Sequence, residues 1–289
     1  MKYTSAIFTA LLVLGSGFTF TSCTDSESSS ITAIKGSLLI IGGGSRPDSM
    51  IDRMITETGI HGEGYAIVLT MSGFDPDTSG YYAERQFREK DISNIRSYDF
   101  GRSDSLTQTG LDSLENASLV YITGGVQSRF MDAVNNHPLI AETLKKAYQR
   151  GAMISGTSAG AAVMSKIMIT GDQHNYPEYT STFYNLEKDN IITAEGLGLI
   201  QGVIVDQHFV KRARNNRLLT AVMEFPDHVG IGIDESTAIL VKQNQAEVIG
   251  DSQVLVYRNL SGASNNHNLK LGAQNLQLNI YLPGDFFKL

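Results

Sequence analysis

The chain has 289 residues, with 30 acidic and 23 basic side chains and a formal net charge of −7 at neutral pH. That balance, with one short basic cluster at residues 211–217, argues against nucleic acid as the main partner. A single cysteine, Cys23, excludes an internal disulfide, and the roughly 255 residues after the N-terminal segment suit one α/β domain.

Lys2 precedes a mostly apolar, uncharged stretch at residues 6–20, too short to span a bilayer with ordinary flanks, which reads as a secretory signal. It ends in Phe20-Thr21-Ser22-Cys23, which resembles the lipobox of bacterial lipoproteins, although Phe20 departs from the usual aliphatic residue. The expectation is a signal peptide at 1–22, a lipid-anchored linker at 23–35 and an α/β domain at 36–289. Lipidation at Cys23 would attach an exported protein to the bacterial cell envelope, on its periplasmic or cell-surface face.

Strands are expected at 37–41, 65–71, 94–98, 119–122 and 152–155, and helices at 49–58, 81–89, from Val126 to the break at His137-Pro138, and at 139–149. This alternation is that of a parallel sheet with helices on both faces. Glycines close the strands at Gly42-Gly43-Gly44, Gly124-Gly125 and Gly156, marking one sheet edge as the ligand-binding edge. The last third differs. Short β-rich runs at 199–205, 230–233, 237–242, 246–249, 254–258 and 276–282 suggest antiparallel additions to the sheet, and polar residues 261–268 read as a mobile loop. The glycines at 42–44 lack the dinucleotide spacing, because position 47 is proline, and no phosphate-binding P-loop occurs, so no cofactor is expected.

The segment Met153-Ile154-Ser155-Gly156-Thr157-Ser158-Ala159-Gly160 combines an apolar run, G-x-S-x-G and small residues that would open a helix. In a strand-turn-helix elbow Ser158 would be an exposed nucleophile, with the Ala159 N–H and an N–H from Gly125 as oxyanion donors. A serine hydroxyl needs a base, and the base an orienting carboxylate. His208 is the favoured base because Val203-Ile204-Val205 places Asp206-Gln207-His208 at a strand end, with His174 of Asp172-Gln173-His174 as its competitor. His61, His137, His228 and His267 read as surface residues. For the carboxylate, Glu235 at the end of Gly230-Ile231-Gly232-Ile233-Asp234-Glu235 is preferred over Asp172. Arg212, Arg214 and Arg217, with Lys211, form either a solvated face or a carboxylate-binding cluster.

With these motifs in order, the chain resembles the cyanophycinases and their relatives, in the serine peptidase family that includes aspartyl dipeptidase. The blocks are Ile41-Gly42-Gly43-Gly44, Ile122-Thr123-Gly124-Gly125-Val126-Gln127, Gly156-Thr157-Ser158-Ala159-Gly160-Ala161, Asp206-Gln207-His208-Phe209 and Gly230-Ile231-Gly232-Ile233-Asp234-Glu235-Ser236-Thr237-Ala238. The resemblance implies a flavodoxin-like α/β fold shared with class I glutamine amidotransferases. It also implies Ser158 as nucleophile, His208 as base and Glu235 as charge-relay carboxylate. Gln127, Gln207, Arg212, Arg214 and Arg217 match substrate-contacting positions, and Asp172 or Asp206 could take a substrate guanidinium. The implied reaction is hydrolysis of multi-L-arginyl-poly-L-aspartate to β-Asp-Arg dipeptides. Aspartyl dipeptidases share the elbow and remain an alternative, as do a metal-dependent hydrolase using the two D-Q-H segments and a non-catalytic peptide-binding lipoprotein. No metal-ligand motif supports the metal reading. Residues 164–194 depart from the pattern, and whether the chain is a monomer or a homodimer is left open.

Overall fold

Both faces of the first strand, β1 (Ser37–Ile41), are covered, which explains its unbroken apolar sequence. Leu38 and Ile40 belong to one buried cluster, Leu39 and Ile41 to another. The computed structural model describes residues 34–101, 106–262 and 264–289 together with Met1. Ala33–Leu289 form one compact unit. The expected signal peptide and Cys23 lie outside the described residues. Among the described residues no helix is long and apolar enough to cross a membrane.

After β1 come α1 (Asp48–Thr58), β2 (Ala66–Leu69), α2 (Pro76–Arg88), β3 (Ile95–Tyr98), α3 (Gln108–Glu115), β4 (Leu119–Ile122), α4 (Gln127–Asn136), α5 (Leu139–Arg150) and β5 (Met153–Thr157). The five strands are parallel, in the spatial order β1-β5-β4-β2-β3. Met50 and Met54 of α1 and Phe87 of α2 cover one face, while Phe130 of α4 and Ile140 and Leu144 of α5 cover the other. This is the α/β architecture the alternating pattern implies. Helix α2 starts five residues before the expected 81, because Asp75 accepts from the Asp77 and Thr78 amides and Pro76 occupies the first turn.

The chain continues through α6 (Ala159–Ala162), β6 (Ile167–Gln173), β7 (Ile191–Glu195), β8 (Val203–Gln207), α7 (Asn215–Glu224) and β9 (Val229–Ile233). It ends with β10 (Thr237–Lys242), β11 (Gln245–Gly250), β12 (Val254–Asn259), β13 (Asn265–His267), β14 (Lys270–Gly272), β15 (Leu276–Tyr281) and β16 (Phe286–Lys288). Strands β10, β11 and β16 extend the main sheet antiparallel beside β1. The rest of the C-terminal third does not join that sheet. Strands β15-β12-β9-β8 form a second one, in which β8 and β9 are parallel across the α7 crossover. Strands β8, β9 and β12 are mostly apolar on both sides because both sides are buried, whereas β15 is partly exposed. Val205, Ile231, Ile233 and Val256 pack in the cluster shared with the main sheet, while Ile204, Leu255 and Tyr257 meet Leu218 and Val222 of α7. The polar stretch expected as a loop holds a hairpin instead: β13 pairs β14 across Asn268 and Leu269, both at positive φ (49° and 71°), as a tight two-residue turn requires.

The two sheets are held to one another by this shared core. Ile231→Ala is expected to destabilise the protein by about 2–4 kcal/mol in denaturant unfolding. A loss below about 1 kcal/mol would contradict close packing between the sheets.

Candidate active site

From its last paired residue onward, β1 and the two glycines after it offer three consecutive carbonyls to three other segments. Ile41 O accepts from Ser158 N (3.0 Å), Gly42 O from His208 N (2.7 Å) and Gly43 O from Ser236 N (2.9 Å). Ser158 follows β5, His208 follows β8 and Glu235 follows β9. A single stretch of backbone therefore sets the relative heights of three chain segments drawn from two sheets.

The side chains meet in line. The Ser158 hydroxyl lies 2.9 Å from His208 Nε2, and His208 Nδ1 lies 2.7 Å from Glu235 Oε1. A carboxylate only accepts, so Nδ1 carries the proton and donates to Glu235, which leaves Nε2 to accept from the serine O–H. Ser158 sits at φ 54°, ψ −111° and His208 at φ 47°, both unusual for residues with a Cβ. Such backbone strain at reacting groups persists only where the surroundings over-determine it, as the three carbonyl bonds do here. Helix α6 has four residues, shorter than the elbow motif implies, so the turn after Ser158 presents individual N–H groups rather than the end of a long helix. The Ala159 N–H opens that turn, and the Gly124-Gly125 strand end lies beside Ser158, where a methyl added at Gly124 would sit 3.4 Å from Ser158 Cβ.

The glycines at 43 and 44 have a sharper reason than substrate access alone. A Cβ at Gly43 (φ +111°) would stand 2.3 Å from His208 Cε1, and one at Gly44 (φ +70°) 2.8 Å from Glu235 Cβ. Imidazole and carboxylate pack directly on this backbone, and only glycine leaves room.

This chain matches the family model described as Peptidase family S51 over residues 99–249, a span that contains Ser158, His208 and Glu235. It belongs to peptidase family S51. Cyanophycinases from Nostoc sp. and from Trichormus variabilis are each 33% identical over 269 residues, covering 89% of this chain and 87% of theirs. The cyanophycinase of Synechococcus elongatus is 29% identical over 266 residues, covering 88% and 80%. In fold the chain resembles a crystal structure of a peptidase from an acI-B1 Actinobacterium, with a TM-score of 0.62 at 21% identity, covering 89% of this chain and 98% of that one. It also resembles a putative peptidase E protein from Listeria monocytogenes, with a TM-score of 0.50 at 13% identity, covering 76% and 100%. The protein is a serine peptidase of the cyanophycinase-like S51 type.

The other residues expected at the site of this S51 peptidase fall into two groups. Arg212 is exposed on the turn after His208, and Gln127 and Gln207 are buried beside the site. Gln127 Nε2 is spent on the carbonyls of Ile169 and Thr170, tying α4 to β6, and Gln207 Oε1 accepts from Arg214. Asp206 and Arg217 are the correction. They are 1% and 5% exposed and bonded to one another in a bidentate pair, so neither is free for substrate. A buried pair of this kind is costly to break, and both oxygens of its carboxylate already accept from Arg217. Asp172 and His174 are exposed on and just after β6, and the partner of His208 Nδ1 is Glu235, not Asp172. Among the described residues no cluster of three or more His, Cys, Asp or Glu is placed to hold a metal ion.

Residues 175–190, which fit no sequence pattern, are stapled to the turn after His208 and to the start of α7. Tyr179 donates its O–H to Ala213 O at 2.7 Å, and Asn216 Nδ2 donates to Thr180 O and Thr182 O. Burial pushes the Tyr179 phenol up to about 12, so it stays a donor. No sequence signal marks these contacts, which join residues more than 30 positions apart.

Burial pushes the His208 imidazole below its ordinary value of 6.5, the Glu235 hydrogen bond opposes this, and the charges of Arg212 and Arg214 add to the depression. Neutral imidazole is the form that accepts a proton, so activity is retained as pH falls until the lowered pKa is crossed. The acidic limb of kcat/KM is expected below 6.5, and Arg212→Ala, which removes a positive charge, should move it upward. A limb above 6.5 in the native enzyme would contradict this. Gly43→Ala should displace the ring and lower kcat by about 10²-fold or more while the protein stays folded. A folded variant with native turnover would show that the close approach is not needed.

Proposed function

We propose that this peptidase hydrolyses multi-L-arginyl-poly-L-aspartate to β-Asp-Arg dipeptides, with Ser158 as nucleophile, His208 as general base and Glu235 as its orienting carboxylate. The observation that carries the reading is the continuous line of Ser158 Oγ, His208 and Glu235 at 2.9 and 2.7 Å. The substrate class rests on the named relatives, cyanophycinases 33% identical over most of both chains.

In this mechanism His208 Nε2 takes the hydroxyl proton as Ser158 Oγ attacks the scissile carbonyl. The imidazolium formed is stabilised by Glu235, and the N–H groups of Ala159 and Gly125 receive the oxyanion. His208 then gives its proton to the leaving amine, an acyl-enzyme remains on Ser158, and water activated by the same imidazole releases the acid. Exposed Arg212 would meet a substrate carboxylate, while Asp172 is the acid left to take a guanidinium once Asp206 is excluded by its pairing with Arg217. A planar guanidinium favours bidentate carboxylate binding.

Purified protein incubated with cyanophycin should release β-Asp-Arg dipeptide, detectable by mass spectrometry. Ser158→Ala should lower the rate by about 10³-fold or more while folding normally. Glu235→Gln should lower kcat with a smaller change in KM, since Glu235 acts on the charge formed in the transition state. Asp172→Asn should leave kcat near native. Native protein that cleaves free aspartyl dipeptides but leaves the polymer intact would overturn the substrate assignment, and a fully active Ser158→Ala variant would remove the mechanism.

A further inference from the structure

Next to Glu235 in sequence lies Asp234, a carboxylate only 7% exposed whose side-chain hydrogen bonds among the described residues come from no cation. Its Oδ1 accepts from the Lys211 backbone N–H at 2.8 Å, and its Oδ2 accepts from the Ser252 hydroxyl at 2.6 Å. Lys211 belongs to the tight turn after His208, which also carries Arg212, and Ser252 to the turn between β11 and β12. That second turn grips the Glu235 segment from both sides. Asp234 N donates to Gln253 O, Asp251 N to Ser236 O, and Ser252 N to Thr237 Oγ1, at 3.2, 3.0 and 2.8 Å. It lies just past the stretch that matches the family model.

A buried carboxylate held only by N–H and O–H donors carries a desolvation cost that an apolar residue would avoid. What it gains is geometry: one side chain reaches the segment of His208 and is covalently continuous with Glu235. We propose that Asp234 is a positioning residue for the Ser158–His208–Glu235 line, fixing the turn that follows the imidazole to the segment that carries its carboxylate, with the 250–253 turn as its back-stop. This rests on the mechanism proposed above. The charged groups facing the imidazole are Glu235, from the end of β9, and Arg212 and Arg214, from the turn after β8. The Lys211 amide tether holds that turn, so releasing it should move both arginines and admit water around His208.

The role is geometric, so an isostere should rescue it. Asparagine keeps an acceptor for the Lys211 N–H, and its amide can donate to the Ser252 oxygen after the hydroxyl rotates. Alanine does neither. The test is the rate at which a fluorophosphonate labels Ser158 as a function of pH, with each variant's fold checked by circular dichroism. This readout needs no knowledge of the substrate. Asp234→Ala should slow labelling by about 10-fold or more and raise the midpoint of its acidic limb, as desolvation and the arginine charges relax. Asp234→Asn should stay within about 3-fold of native. A folded Asp234→Ala variant with native rate and midpoint overturns the proposal, as does equal impairment of the alanine and asparagine variants. If Asp234→Ala does not fold, Ser252→Ala decides: a smaller loss with the midpoint shifted the same way supports the proposal, and no change overturns it. Native protein that is not labelled at Ser158 overturns this inference and the mechanism together, whereas native labelling that is insensitive to these variants overturns the inference alone.

Discussion

The carbonyls of Ile41, Gly42 and Gly43 are the constraint on which the site depends, because each holds one of the segments bearing Ser158, His208 and Glu235. Those segments come from β5 in the main sheet and from β8 and β9 in the second sheet, and among the described residues no other stretch of backbone bonds to all three in this way. Backbone carbonyls have little freedom once their strand is buried on both faces, and β1 is buried on both. The packing of two clusters around β1 is thereby converted into distances of 2.9 and 2.7 Å between side chains more than 25 residues apart in sequence. A group held within a fraction of an ångström of its working position contributes to rate through orientation alone.

The strain at the site follows from the same arrangement. Ser158 and His208 both adopt positive φ, and glycine at 43 and 44 leaves the ring and the carboxylate no cushion of side chain between them and the loop. Beneath this layer the Asp206–Arg217 pair closes the floor. It is buried, and it fixes the end of β8 to α7 directly ahead of the likewise buried Gln207 and His208. The acidic and basic residues around the imidazole divide accordingly into those that hold the scaffold and those that remain exposed.

Much of this was legible in the sequence, and the reasons differ by residue. Ser158 announces itself because a strained elbow needs small neighbours, and Gly156 and Gly160 are local to it. His208 and Glu235 could be picked out because each ends an apolar run, and a run that ends in a polar residue marks a sheet edge. The burial of Asp206 and Arg217 could not be read, because partners eleven positions apart across a strand-to-helix crossover leave no periodic signature. The cluster at 211–217 looked like one unit but divides between an exposed turn and the buried side of α7. The second sheet was missed for a related reason: apolar runs reveal that a strand is covered, not which sheet it joins. In the polar stretch after 261, Asn268 was the available signal, since asparagine tolerates the left-handed conformation that a two-residue turn demands. The family resemblance implied the α/β fold that the structure has, while the physical reason for the glycine run came only with the positions of the side chains packed on it.

The most direct measurement is to map the residue modified when the native protein reacts with a serine-directed fluorophosphonate near neutral pH, using peptide mass spectrometry. The account predicts one stoichiometric adduct, on Ser158, and its loss when His208 is replaced by alanine in a folded protein. An adduct on a different serine, or labelling of Ser158 that persists undiminished without His208, would contradict it.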